Sequence, residues 1–319
     1  MSSNSSIVSS KAAWFSPIEV KAVAYIANAV YIGVAIIGIP GNGLSVYLLG
    51  TKDRLRKEVG SIANLMFSLS LVDFMTCSMM IPLFLFRPVI TPWLNYPVLC
   101  QLVFSTYVFW AFLSTSGCHL TLISIDRYLA ICYPNFHQKH WSNHSFIFIA
   151  LAYFVGFIVS VWWLPFCFYL EDKKCVFNAD FFNTHRTYLG INQFLLDFCV
   201  PMLVMIVMYT LIYSKLYKTG GKCAAKGSKA VIRTALVTGF VYVACVAPNK
   251  ITWMLHCTRI SELDYGNWPR YATQVLIAQS SNCNPVIYTF SIHVFRKELF
   301  QLLCFLEENL LMAIVYCMM

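Results

Sequence analysis

Charge is what this chain has least of. Only 12% of its 319 residues are Asp, Glu, Lys or Arg, against 59% hydrophobic residues and a mean hydropathy of +0.65. A soluble domain carries about a quarter charged residues, so this composition excludes an ordinary soluble fold and points to the membrane. Metal-type cysteine spacing is missing too. The 13 cysteines contain no CxxC pair and mostly sit singly in apolar runs, as small buried hydrophobes do. No cleavable leader is expected, because residues 1–23 are Ser-rich and polar and the first long apolar run is itself long enough to span. Internal repeats and long linkers are also absent, which argues against a second domain and against a repeat-built transporter.

What is present is seven apolar runs, at about 24–50, 62–86, 100–133, 145–169, 187–217, 230–257 and 268–290. About 20 helical residues cross a bilayer core. The run from Cys100 to Tyr133 has no proline and no charge before Asp126-Arg127, so it is expected to cross as one tilted helix. The expected fold is an all-α membrane protein, a seven-transmembrane helix bundle over 24–290 flanked by segments 1–23 and 291–319.

Seven crossings put the termini on opposite sides, and the basic residues assign the sides. Lys52, Arg54, Arg56, Lys57, Arg127, Lys139, Lys215, Lys218, Arg296 and Lys297 belong to one side, which holds most of the 23 Lys and Arg. Positive residues stay cytoplasmic, so residues 1–23 are expected outside and 291–319 inside. The net charge of +9 is then a topology signal and a contact surface for acidic lipids, and it needs no nucleic acid. Asn4-Ser5-Ser6 is a glycosylation acceptor that falls outside. Asn143-His144-Ser145 fits the same pattern but falls inside and is expected to stay unmodified.

An ionisable group inside a span costs ~3 kcal/mol or more unless paired or hydrated. Asp73 has no cation in its own run. Asn42 in run one, Ser116 in run three, and Ser281, Asn282 and Asn284 in run seven could solvate it together. Such a cluster leaves room for a small hard cation such as Na⁺, or for structural water. Pro285 frees a carbonyl one turn back and weakens run seven, giving either a hinge or an ordinary kink.

Ile125-Asp126-Arg127-Tyr128, Asn284-Pro285-Val286-Ile287-Tyr288, Gly41-Asn42, Leu69 with Asp73, and Cys100 with Cys175 form a set. The set resembles the rhodopsin-like (class A) G-protein-coupled receptors over nearly the whole chain. The resemblance implies that Arg127 is locked to Asp126 at rest and faces a heterotrimeric G-protein on activation. It implies active-state roles for Tyr209 and Tyr288, and a disulfide between Cys100 and Cys175. His293 to Phe300 is similar to the family's short amphipathic eighth helix, with Cys304 at its end as a palmitoylation acceptor or a free thiol. Two positions depart from the pattern: Val246 stands where the family usually has tryptophan, and Tyr242 where it has phenylalanine. Run four offers Tyr153 or Phe154 where a tryptophan is common.

Run three has no acid in its outer half, where amine receptors carry one, and Ala278 stands where opsins carry lysine. An amine ligand and a Schiff-base chromophore are therefore not expected. Asp197 and Lys250 are the charges left in the outer halves of spans, and they either pair or contact ligand. With Phe109, Trp110, Asn249, Trp253 and Gln274 they form the candidate mouth, suited to a peptide or amphipathic small molecule. The expectation is a plasma-membrane receptor that catalyses nothing, with no cofactor beyond a possible Na⁺. The competing reading is a seven-helix membrane enzyme or transporter, to which His137, His140 and His144 would contribute zinc-type spacing.

Overall fold

The computed structural model describes residues 17–81, 100, 102, 106–161, 168–171, 174–220, 226–260 and 268–318. The Asn4 acceptor and the outer ends of runs two and four lie outside the described residues. Span one is Pro17–Thr51, and span two is Ala63–Met80, entered through the short helix Asp53–Val59 and the turn Gly60–Ile62. Span three is Tyr107–Cys132 and span four Ser145–Val161. Span five runs Ala179–Phe194, then one π turn at Leu195–Cys199, then Val200–Lys218. Spans six and seven are Lys226–Cys257 and Trp268–Ser291. One antiparallel hairpin, β1 (Phe168–Glu171) with β2 (Lys174–Phe177), sits between spans four and five.

Six of these helices are long and apolar enough to cross a bilayer. The seventh is long enough at 24 residues, but Ser280, Ser281, Asn282 and Asn284 dilute its apolarity. All four are buried, so its polar residues face the bundle and not lipid. Span three is the axis: spans two, four, five and six all pack on it, while span one packs on two and seven.

Span four reads inside-out. Phe146, Ile147, Leu151, Phe154 and Ile158 are exposed towards lipid, whereas Ser145, Ala152, Gly156 and Ser160 face inward. Between membrane helices apolar burial gives no net drive, so close approach through small residues holds the contact. Gly156 makes the point, because a Cβ there would sit 2.7 Å from both the Thr115 Cα and its backbone nitrogen on span three. Backbone cannot yield as a flexible side chain can. Gly156→Ala should therefore cost about 1–3 kcal/mol of thermal stability. Gly33→Ala, which meets nothing within 4 Å and sits inside a helix that alanine favours, should leave the melting temperature unchanged or raise it slightly.

Two expectations need adjustment. Run three is not one uninterrupted helix from Cys100, because Thr106 adopts φ 63° and the helix starts at Tyr107. That left-handed backbone is costly for a β-branched residue. Here the Thr106 carbonyl accepts from the Trp110 backbone N–H at 3.1 Å and its hydroxyl from the Trp110 indole at 3.1 Å. The last helix does not stop near Phe300 but continues to Met318, since neither glycine nor proline interrupts it. Its first turns dock on the bundle: Phe295 is buried and meets Tyr288 edge-on at 5.8 Å.

Candidate functional site

At the C-terminal end of span three, Asp126 and Arg127 are 1% and 5% exposed. Arg127 Nε donates to Asp126 Oδ2 at 2.8 Å, and its Nη2 donates to Ser61 Oγ at 3.0 Å, across to the start of span two. Asp126 Oδ1 is held separately, 2.8 Å from His137 Nε2. The carboxylate thus faces a guanidinium on one oxygen and an imidazole on the other. His137 lies only 11 residues beyond Asp126. Pro134 opens a new helical turn and the π turn His137–Trp141 carries the ring back under the span.

Sequence reasoning missed this role of His137, placing it only among three histidines at zinc-type spacing. The three do not converge: His137 is buried, whereas His140 and His144 are exposed and His144 Nδ1 bonds to the His140 carbonyl at 2.7 Å. The signal available was the proline that resets the chain direction between Asp126 and His137.

The other residues expected to act with Arg127 have partners of their own. Tyr209 on span five donates to the Ala235 carbonyl on span six at 2.7 Å. Tyr288 is buried against Phe295, and Tyr128 packs edge-on against Tyr133 at 5.8 Å. Pro285 is buried, with Gly41 of span one beneath it: a Cβ on Gly41 would be 3.5 Å from the proline ring.

In mid-membrane, Asp73 is fully buried and accepts from Ser116 Oγ at 3.0 Å and from Asn284 Nδ2 at 2.6 Å, so spans two, three and seven meet on one carboxylate. Asn42 serves the neighbouring seam. Its Nδ2 donates to the Gly38 carbonyl and to the Ser281 carbonyl, both at 3.0 Å, stapling span one to seven.

A second polar seam joins spans two, three and four. His119 Nε2 lies 2.8 Å from Ser68 Oγ, and Tyr153 meets the same hydroxyl at 3.5 Å while its ring sits edge-on to His119. Of the two span-four candidates, Tyr153 faces in and Phe154 is 63% exposed.

Towards the other end of the bundle, Asp197 and Lys250 pair directly, both buried. The π turn is the cause: one extra residue in the turn Leu195–Cys199 redirects span five so that Asp197 points into the bundle. Lys250 Nζ also lies 5.2 Å from the Trp110 ring centroid, within cation–π range, and Phe109 meets Trp110 edge-on at 5.4 Å. Next to Lys250, Asn249 is 2% exposed and its Nδ2 has no acceptor among the described residues. Two residues expected at this mouth belong elsewhere. Trp253 packs with Phe182 in a separate outer cluster, and Gln274 accepts from Tyr31 of span one at 3.3 Å.

Val246 is fully buried and Tyr242 nearly so. The phenol of Tyr242 reaches span three at Gly117, where any Cβ would collide with its hydroxyl. The small residue on span three is what admits the larger ring on span six. Cys100 is disulfide-bonded. Cys175 stands on β2 opposite Leu170, with its side chain outside the described residues. Cys304 is exposed on the last helix.

These features have relatives. Residues 41–288 match the family described as 7 transmembrane receptor (rhodopsin family). The chain is 30% identical over 265 residues to human trace amine-associated receptor 5, covering 74% of this chain and 73% of that one. It is 25% identical to a purinoceptor of Gallus gallus over 88% of this chain and 80% of that one. It is 24% identical to proteinase-activated receptor 1 of Xenopus laevis over 86% and 66%. Two buried charge clusters, one at each end of span three, thus stand in a chain that belongs to the rhodopsin family of seven-transmembrane receptors: it is a membrane receptor that couples an extracellular ligand to a G-protein, and not an enzyme.

Proposed function

We propose that the ligand is a peptide or an amphipathic small molecule bearing a carboxylate or amide, and that it acts by competing for the Asp197–Lys250 pair beneath Trp110. A ligand carboxylate takes over Lys250, while the unpartnered Asn249 amide donates to the same group. Exchange of partners at this depth lets spans five and six shift against span three, because both charges sit on those spans. The N-terminal segment faces outside and carries the Asn4 glycan, and Cys175 is the partner of Cys100. The last helix lies along the cytoplasmic leaflet, where Cys304 is open to acylation and the basic side meets acidic lipid.

The observation that carries this reading is the closed cluster of Asp126, Arg127, Ser61 and His137. It is a two-state element: intact, it buries the arginine, and opened, it presents a guanidinium to the G-protein. Tyr209 and Tyr288 serve the open state, after leaving the Ala235 carbonyl and the Phe295 ring. Asn284 and Pro285 give span seven the freedom to move. The converging oxygens of Asp73 and Ser116 fit a small hard cation such as Na⁺, which would favour the closed state.

A screen of surface-expressed receptor against peptides and carboxylate metabolites, read by second messenger, tests the ligand class. A response confined to amines would defeat it. His137→Phe tests the lock, since it removes the partner of Asp126 Oδ1 and leaves Arg127 in place. Ligand-free nucleotide exchange should rise severalfold, consistent with the loss of one charge-assisted hydrogen bond of about 1.5–3 kcal/mol shared between two donors. Exchange equal to wild type would mean that His137 contributes nothing to the closed state.

A further inference from the structure

Asp197 and Lys250 neutralise each other where water does not reach, with both side chains 4% exposed. They stand 53 residues apart in sequence, on spans five and six, and among the described residues neither meets another ionic partner. Any ligand that takes one of them strands the other. A plain carboxylate on Lys250 leaves Asp197 bare, and a plain amine on Asp197 leaves Lys250 bare. An uncompensated charge at such depth costs more than the intact pair contributes. Two neighbours indicate what else the ligand group meets. Asn249, one residue before Lys250, is buried with an Nδ2 that has no acceptor among the described residues. Trp110 is pinned by its indole bond to Thr106 at 3.1 Å, and its ring centroid lies 5.2 Å from Lys250 Nζ. The site therefore offers one cation, one anion, a spare amide donor and an aromatic face that favours cations.

We infer that the ligand carries both charges: it is a compact zwitterion, an ammonium and a carboxylate arranged as on an α-amino acid, on an apolar body. Its carboxylate binds Lys250 with one oxygen and the Asn249 amide with the other. Its ammonium binds Asp197 beside the Trp110 face, so four charges alternate in sign and none is left bare. The inference rests on the reading that the ligand exchanges into this pair, and narrows that reading from carboxylates in general to this one class. Compactness follows from the direct contact of Asp197 with Lys250. Two groups that touch are bridged by charges sharing one carbon, and not by the distant ends of an extended peptide. Insertion parts the carboxylate of span five from the ammonium of span six by the width of the inserted group, which is the displacement of those spans that activation needs.

The test uses matched triplets in which one body carries both charges or either alone. These are tryptophan, indole-3-propionate and tryptamine; phenylalanine, 3-phenylpropionate and phenethylamine; and leucine, 4-methylpentanoate and 3-methylbutylamine. Surface-expressed receptor is read by second messenger, and purified receptor by the shift in melting temperature, which reports binding whether or not the variant signals. In wild type the amino acid of at least one triplet should act, and each half-ligand should be about 10–100-fold weaker, the worth of one hydrogen bond to a charged group. Asp197→Asn should reverse the ranking in favour of the carboxylate half, since that half now leaves no bare charge. Lys250→Gln should reverse it in favour of the amine half. The double variant, which keeps the shape of the pair, should show no preference by charge, and it decides the matter with the wild-type ranking where a single variant fails to fold. A carboxylate half that equals its amino acid in wild type, and needs Lys250, overturns the zwitterion and leaves the wider reading standing. A ranking unchanged in all three variants also overturns the zwitterion. Silence from every triplet overturns both.

Discussion

Replacing Lys250 with methionine will lower the stability of the purified receptor by about 3–5 kcal/mol, the usual cost of leaving one charge of a buried pair without its partner. Asp197 is 6% exposed and Lys250 3%, so water cannot take the place of the missing cation. The loss is measured as a fall in melting temperature, followed by labelling of buried thiols such as Cys77 and Cys257 as they become exposed. Removing both charges should recover most of it, because neutral hydrogen-bonding side chains of similar shape leave no bare ion. Asp197→Asn with Lys250→Gln is therefore expected to melt near wild type yet still fail to respond to a carboxylate ligand. A double variant that regains both stability and response would make the pair purely structural. A single Lys250→Met that melts like wild type would mean the pair is not buried at all.

Replacing Asp126 with asparagine should raise ligand-free nucleotide exchange by about 10–100-fold. The side chain keeps its shape but loses the charge that holds Arg127 Nε at 2.8 Å and His137 Nε2 at 2.8 Å. Hydrogen bonds to charged groups contribute roughly 1.5–3 kcal/mol, and about 1.4 kcal/mol is a factor of ten in an equilibrium. The closed state carries these bonds and the open state does not, so the whole loss appears as a population shift. Ser61→Ala, which removes one neutral acceptor from Arg127, should raise exchange less than either Asp126→Asn or His137→Phe. Unchanged exchange in Asp126→Asn would show that the cluster does not hold the receptor at rest.

The parts of this architecture legible in the sequence are those where a lone residue violates the rule for its surroundings. Asp73, Asp197 and Lys250 stand out because a charge in a span demands an explanation, and each has a polar or charged partner. Partner choice was less legible. Whether Asp197 meets Lys250 depends on a π turn that no periodicity announces, since one extra residue per turn leaves composition unchanged. His137 was hidden for a related reason, as its role depends on the chain reversing after Pro134 and its sequence neighbours are solvent-facing. The break at Thr106 was invisible because a threonine in an apolar run gives no warning of a positive φ. Trp253 lies one turn from Lys250 on span six and Gln274 stands on span seven, but position along a helix does not say which neighbouring helix claims a side chain. In both cases a different neighbour did.

The Gly117–Tyr242 contact shows the converse. The unusual tyrosine on span six looked like a loss of the family pattern, yet it is matched by a glycine on span three that makes room for it. With Val246 buried beside it, the ring that crosses between spans six and three in this receptor is a phenol.

The most direct measurement needs no ligand: nucleotide exchange by purified receptor with a panel of Gα subunits, comparing wild type, Asp126→Asn, and Asp126→Asn combined with Arg127→Ala. If Arg127 is the group that the closed cluster hides from the G-protein, exchange rises in the single variant and falls to the level of Gα alone in the double. Raised exchange that survives the loss of Arg127 would contradict that role.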